Sequence, residues 1–227
     1  MENAAPSRNR RGQRSRQEIL DVAARMMAAR GYAGTTMSVL VKETGLPRSA
    51  FYHHFDSKAG LLSEVMARGA RAFFAAMRAA HRTPPTAGSP RERLGWYLQK
   101  TGEVFVDHED FLRLMLVLVM SNEATEATEA MQTVIDVRTE GRELMRDMIH
   151  SAFAVEGAGI AAVVADEYAH FGMAGFDGAF VSLQTKDGKP MTEFMSQLTD
   201  AIATIGEARA SALRTQANTG GAQAPAV

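Results

Sequence analysis

Gly45 separates two segments too short to fold alone, and no other feature constrains the chain as tightly. Both lie within Gly31–Lys58. Thr36 opens the first, where its hydroxyl can accept from an orphan backbone N–H as an N-cap. Val39, Leu40 and Val41 supply that helix's apolar face. Gly45 stands where a helix C-cap needs a left-handed residue, and Leu46 plugs the turn. Pro47 suits the first turn of the next helix, where its missing N–H costs nothing. Phe51 and Phe55 are four apart, so they share one face and pack inward. Arg48, Ser49, Tyr52 and His53 are left facing outward. Ser57 or Asp56 can cap a third segment. Lys58 then sits at its start, where an ammonium and backbone N–H groups can hold one phosphate together. Two short helices crossing at a glycine turn, the second one polar, form the helix-turn-helix layout whose second helix enters a DNA major groove.

A glycine between two short helices is common in all-α proteins and by itself says little about DNA. The ordered series Thr36, Gly45, Tyr52, Phe55, Lys58 says more, and so does charge. The chain carries a net charge of −1. Of its 25 Lys+Arg and 26 Asp+Glu, residues 1–58 hold 10 and 5, and the remainder 15 and 21. The basic half is therefore the helix-turn-helix half. Arg8, Arg10, Arg11, Arg14 and Arg16 read as a basic arm before the first helix. That arm is either a solvated tail or a source of phosphate and minor-groove contacts.

The block with Tyr52-His53-His54-Phe55 and Ser57-Lys58 resembles the signature of the TetR family of bacterial regulators, over roughly residues 14–62. The resemblance implies a homodimer that binds a palindromic operator on double-stranded DNA and is released by a small molecule. The DNA-facing positions are then Thr36, Ser38, Pro47, Arg48, Ser49, Tyr52, His53 and Lys58. Four departures obscure the base preference. Pro47 replaces a common Ser, and Ser49 a usual Gly. Ala50 stands where a Thr often touches DNA. Ala59-Gly60 replaces an acidic residue that would complement the helix dipole.

The rest of the chain reads as helix, so the fold class is all-α: an N-terminal three-helix helix-turn-helix domain and a C-terminal helical ligand-binding and dimerisation domain. Strand alternation is absent. Apolar spacing predicts helices over about 14–30, 57–81, 91–106, 111–120, 124–155, 160–184 and 191–213. Gly31 ends the first, and Gly157 and Gly159 interrupt the fifth. Thr83–Pro90 is a linker. The 57–81 helix spans roughly 36 Å, long enough to join two domains. The 111–120 helix is apolar nearly all round, as a central buried helix would be. The expected divisions are a flexible arm 1–13, a DNA-binding domain 14–60, an effector and dimerisation domain 61–213 and a disordered tail 214–227.

Methionine and aromatic residues suggest an adaptable apolar pocket in the second domain, though any one of them is more often plain core. The candidates are Phe74, Met77, Trp96, Phe105, Met115, Met120, Met145, Met148, Phe153 and Tyr168. His81, Asp107, His108 and His170 are possible polar anchors. Small and large apolar residues alternate on the last two helices, at Phe171, Gly175, Phe176, Ala179 and Leu183, then Phe194, Leu198 and Ile202. These are expected at a two-fold four-helix interface, with further monomer core as the plainer reading.

No catalytic motif appears, and no cofactor is called for. The chain has no Cys, so thiolate metal sites are excluded. Adjacent His53 and His54 diverge on a helix and form no metal pair. Asp107–Asp110 reads as a solvated helix start rather than a metal site. The longest apolar run is far short of a membrane span, and no leader-like stretch opens the sequence, so a cytoplasmic location is expected. The competing reading is a helical small-molecule-binding or enzymatic protein that no longer reads DNA.

Overall fold

The computed structural model describes residues 5–121, 124–185 and 188–220. Among them the regular structure is helical. α1 (Ala5–Gly34) bends at Gly31, whose φ of 72° lies in the left-handed region and closes the main helix where expected. α1 begins well before residue 14, so the stretch read as a flexible arm is helical from Ala5. Pro6 sits in the first turn, and the run to Gly31 is rich in good helix formers with only Gly12 against it. Residues 1–4 of the expected arm lie outside the described residues.

α2 (Met37–Thr44) and α3 (Arg48–His54) follow. Thr36 caps α2, its hydroxyl accepting from the Val39 N–H at 3.3 Å. A cap of this kind contributes about 1 kcal/mol. Gly45 ends α2 at φ 66°, and its N–H donates to the Val41 carbonyl. Pro47, at φ −66°, leads directly into α3. The Ser57 hydroxyl accepts from the Gly60 N–H at 2.9 Å and starts α4 (Lys58–Ala80).

α5 (Pro90–Asp107) begins in a capping box that composition alone did not reveal. The Ser89 hydroxyl accepts from the Glu92 N–H, and the Glu92 carboxylate accepts from the Ser89 N–H. The Ser89 N–H and hydroxyl both donate to that carboxylate, at 2.8 Å each, and hold the Glu92 carboxyl below its usual pKa. α6 (Glu109–Met120) and α7 (Thr128–Phe153) come next. A single 3-10 turn, Ala154–Glu156, ends at Gly157 with φ 98°. α8 (Ala158–Thr185) and α9 (Met191–Gly220) complete the chain. α9 runs beyond residue 213, through part of the expected tail. Residues 221–227 of that tail, and Lys186-Asp187 of the turn before α9, lie outside the described residues.

The contacts divide the chain into two compact units. The first holds the chain up to Ala75 together with His108–Val137. Its core gathers Ile19, Leu20, Met27 and Tyr32 from α1, Leu40 from α2, and Phe51 and Phe55 around α3. Leu61, Leu62 and Met66 of α4 join them, with Leu114 and Leu118 of α6. α6 lies along α1. Gly69 lets α4 and α6 approach closely, because a Cβ there would fall 2.3 Å from the Phe111 ring. A boundary at residue 60 would thus cut through one core: α6 carries enough apolar surface to join the helix-turn-helix rather than the C-terminal helices. Even so, α6 is not buried all round, with Val119 and Met120 exposed.

The second unit holds Ala76–Asp107 and the chain from Arg138 onward. α9 packs against both α5 and α8. Leu94, Leu98, Met145, Ile149, Phe153, Phe176, Met195 and Ile202 form the centre of its core. Each such side chain contributes about 1.5–3 kcal/mol by leaving water. The Arg138 guanidinium grips the Asp177 carboxylate through two bonds, of 2.6 and 2.7 Å, and so ties α7 to α8.

Candidate nucleic-acid interface

The alternation of buried and exposed positions on α3 builds the site. Phe51 and Phe55 are 1% and 6% exposed and anchor the helix in the first unit's core. Burying Phe51 fixes the rotation of α3. Arg48, Ser49, Tyr52 and His53 consequently project together into solvent, and Pro47 is exposed beside them. Thr36 and Ser38 are exposed at the start of α2. Of the eight positions expected to face DNA, seven are exposed and Lys58 is half-buried.

Several of these groups are already ordered. The Arg48 Nη2 donates to the Tyr52 hydroxyl at 3.2 Å, with the guanidinium 5.6 Å from the ring centroid. Tyr52 is 51% exposed, unusual for so large an aromatic. The Lys58 Nζ lies 3.9 Å from the centroid of the Tyr32 ring, a cation–π contact. The Tyr32 hydroxyl donates in turn to the Glu126 carboxylate at 2.7 Å. Burial pushes the Tyr32 phenol far above its ordinary pKa, reinforced by the hydrogen bond to Glu126 and that carboxylate's charge.

His54 belongs to the support beneath the surface rather than to the surface itself. Its Nε2 lies 2.7 Å from the Ser15 hydroxyl, joining α3 to α1. Desolvation, then the neighbouring His53 and Arg16, lower its pKa and favour the neutral ring. Arg16 stacks on Phe55 and pairs with Glu64. Spacing alone pointed to none of Tyr32, Glu126, Ser15 or Glu64. Their partners are 26 to 94 residues away in sequence, beyond the reach of a local motif.

The ten pocket candidates divide between the two units, and six of them, Trp96, Phe105, Met145, Met148, Phe153 and Tyr168, meet in the second unit's core cluster. Phe74, Met115 and Met120 fall in the first unit, and the other seven in the second. Met115 packs against the helix-turn-helix core, and Met120 is 79% exposed. Met145, Met148 and Phe153 are buried in close packing, Met145 against Gly172 and the Phe153 ring against Gly206. The second unit does contain an open cavity of about 370 Å³. Gln99, Glu103, Val106 and Asp107 of α5 and Met191 and Thr192 of α9 line it, and none of the ten candidates does. Asp107 alone among the suggested polar anchors lies there.

His81 sits elsewhere in this unit, among Trp96, Tyr97 and Thr101, with its Nε2 3.1 Å from the Thr101 hydroxyl. Burial lowers its pKa from 6.5, only partly offset by a hydrogen bond to the Tyr97 backbone. As pH falls through 6.5, the unfolded chain therefore takes up this proton before the folded one does. Stability is lost on acidification across the window just below 6.5. Replacing His81 with Phe should flatten that slope, measured as denaturation midpoints at pH 7 and pH 5.5. An unaltered slope would assign the acid sensitivity to other groups.

The expected interface residues also divide. Phe176, Ala179, Leu198 and Ile202 are buried within their own subunit. Gly175 lies under Leu198, where a Cβ would meet that side chain at 2.4 Å. Leu183 and Phe194 are partly buried against the same core. Phe171 alone is left broadly open, at 48%. Val181 on α8 and Ile205 on α9 are exposed too; Ile205 shares the helical spacing of Leu198 and Ile202, whereas nothing in the sequence pattern marked Val181.

An all-α chain with a capped two-helix turn presenting a polar, basic second helix defines the class: a helix-turn-helix nucleic-acid-binding protein. Residues 19–65 match the family of bacterial regulatory proteins, tetR family. These residues make an N-terminal domain of that family. It is 30% identical over 152 residues to the HTH-type transcriptional regulator YerO of Bacillus subtilis, a match covering 66% of this chain and 50% of that protein. It is 49% identical over 47 residues to the transcriptional repressor AcnR of Corynebacterium glutamicum, covering 21% and 25%. The chain thus spans half or less of the length of these curated relatives in the matched regions. In fold it resembles a transcriptional regulator from Saccharomonospora viridis solved in complex with choline. That comparison gives a TM-score of 0.67 at 23% identity and covers 84% of this chain and 96% of that one. Among the described residues, no three metal-ligating side chains cluster and no helix is long and apolar enough to cross a membrane.

Proposed function

We propose that the protein is a ligand-responsive transcriptional regulator, a repressor that leaves a palindromic operator when a small organic molecule binds its C-terminal unit. One observation carries the reading. α3 buries Phe51 and Phe55 and turns Arg48, Ser49, Tyr52 and His53 outward together, with Lys58 at the start of the next helix. Arg48 is suited to a guanine edge and Lys58 to a phosphate. The chain acts as a homodimer, since two reading helices are needed for two half-sites. The apolar residues left open on α8 and α9, Phe171, Val181 and Ile205, support an interface there. A cytoplasmic location, where the DNA is, accords with this reading.

The effector is expected to be mostly apolar, because the second unit's interior is built of aliphatic, aromatic and methionine side chains. It need favour the non-binding state by only a few kcal/mol, about the size of ordinary allosteric couplings. No step in this scheme is catalytic.

The test is binding of the full chain to fluorescently labelled DNA from upstream of its own gene, against an unrelated duplex of equal length. Preference for the upstream fragment is expected. Failure to bind either duplex at low salt would leave the alternative, a helical small-molecule-binding protein that no longer reads DNA.

A further inference from the structure

We propose that Glu126, in the connection between α6 and α7, is a positioning residue for the Lys58 ammonium. The inference rests on the DNA-binding reading above. Three groups spanning 94 residues of sequence form one line. The Glu126 carboxylate accepts from the Tyr32 hydroxyl at 2.7 Å, and the face of the Tyr32 ring lies 3.9 Å from the Lys58 Nζ.

Each link has a physical role. Tyr32 is 2% exposed, so its ring cannot drift. Its hydroxyl donates a hydrogen bond to an anion, which makes the ring more electron-rich and strengthens its hold on a cation. The phenol stays protonated at any ordinary pH, so the direction of that hydrogen bond is fixed. Glu126 is itself held in place. Its neighbours Ala124 and Ala127 are 1% and 2% exposed in the first unit's core, and the Ala127 N–H donates to the Ala124 carbonyl at 2.8 Å. A lysine on a flexible four-carbon stem is thereby held at the N-terminus of α4, where its charge and the helix's free N–H groups converge. A residue on a connection remote in sequence from the reading helix would thus set how well the protein grips the DNA backbone.

The sign of the effect separates this role from simple electrostatics. Removing a carboxylate from a DNA-binding unit ordinarily raises affinity. If Glu126 positions Lys58, Glu126→Ala lowers it. The probe is a mixed-sequence duplex of about 30 base pairs, titrated with the full chain at several salt concentrations, since phosphate contacts do not depend on sequence. Glu126→Ala and Tyr32→Phe should each weaken binding by about threefold to tenfold at low salt. Glu126→Gln, which still accepts the hydrogen bond, should bind at least as tightly as the wild type. In a Lys58→Ala background, Glu126→Ala should add no further loss. Thermal melts would confirm that each variant is folded, and Tyr32→Phe stands as the second variant should Glu126→Ala melt early. A Glu126→Ala protein that binds as tightly as the wild type, or more tightly, would overturn the proposal while leaving DNA binding intact. A wild type that does not bind the duplex would overturn the reading beneath it.

Discussion

Phe176→Asp is expected to unfold the C-terminal unit rather than separate two folded subunits. Phe176 is 1% exposed, and its ring lies 4.8 Å from that of Phe105. Truncating a buried phenylalanine costs about 3–5 kcal/mol in lost transfer energy and cavity. Placing an unpaired carboxylate in the same space adds a desolvation penalty, which the group escapes only by taking up a proton. Domains are stable by about 5–15 kcal/mol in total, so the two costs together consume most of that margin. Phe171→Asp is the matched control. It lies on the same helix but is 48% exposed, so the subunit should keep its fold and lose only its partner. Chemical denaturation followed by circular dichroism, with sedimentation at micromolar concentration, separates the two outcomes. A Phe176→Asp protein with the wild-type midpoint that merely sediments as a monomer would show that this residue faces a partner and not its own core.

That contrast marks what was legible in the sequence. Local rules were readable wherever a few neighbouring residues decide the outcome. Thr36 and Ser57 cap, Gly45 turns left-handed, and Phe51 with Phe55 turn inward, each through bonds spanning three or four residues. The family signature lies in that same short block. Helical spacing on α8 and α9, by contrast, shows that Phe176 and Leu198 must be covered but not by what. The answer depends on α5 and on the second half of α7, which pack against α8 and α9 from far along the chain. The ten methionine and aromatic pocket candidates miss the second unit's open cavity for the same reason. Apolar character is equally compatible with close packing, as at Phe153, and with solvent, as at Met120. The open cavity of the second unit is edged by Glu103, Asp107 and Gln99, which a search for apolar residues passes over.

Arg48→Ala should relax sequence preference, whereas Lys58→Ala should weaken binding to every sequence alike. A guanidinium can donate two parallel bonds to a guanine edge, and such a pair is worth about 1–3 kcal/mol of discrimination. A dimer on a palindrome makes the contact twice, so the penalty in free energy doubles and the effect on the best operator is large. Lys58 offers a point charge to a phosphate, and its loss should reduce the salt slope by about one per contact. In the free protein Arg48 already donates to the Tyr52 hydroxyl and lies against its ring. Tyr52→Ala should therefore release Arg48 from that orientation, and the double variant should lose less than the sum of the two single losses. Arg48→Lys should not restore preference, because an ammonium cannot make the planar two-bond contact. The measurement is affinity of each variant for the duplex that the wild type selects from a random pool, for single-base variants of that duplex, and for an unrelated one, across salt concentrations. If Arg48→Ala discriminates among the single-base variants as sharply as the wild type, base reading by Arg48 is wrong, and specificity must arise from other exposed residues of α2 and α3.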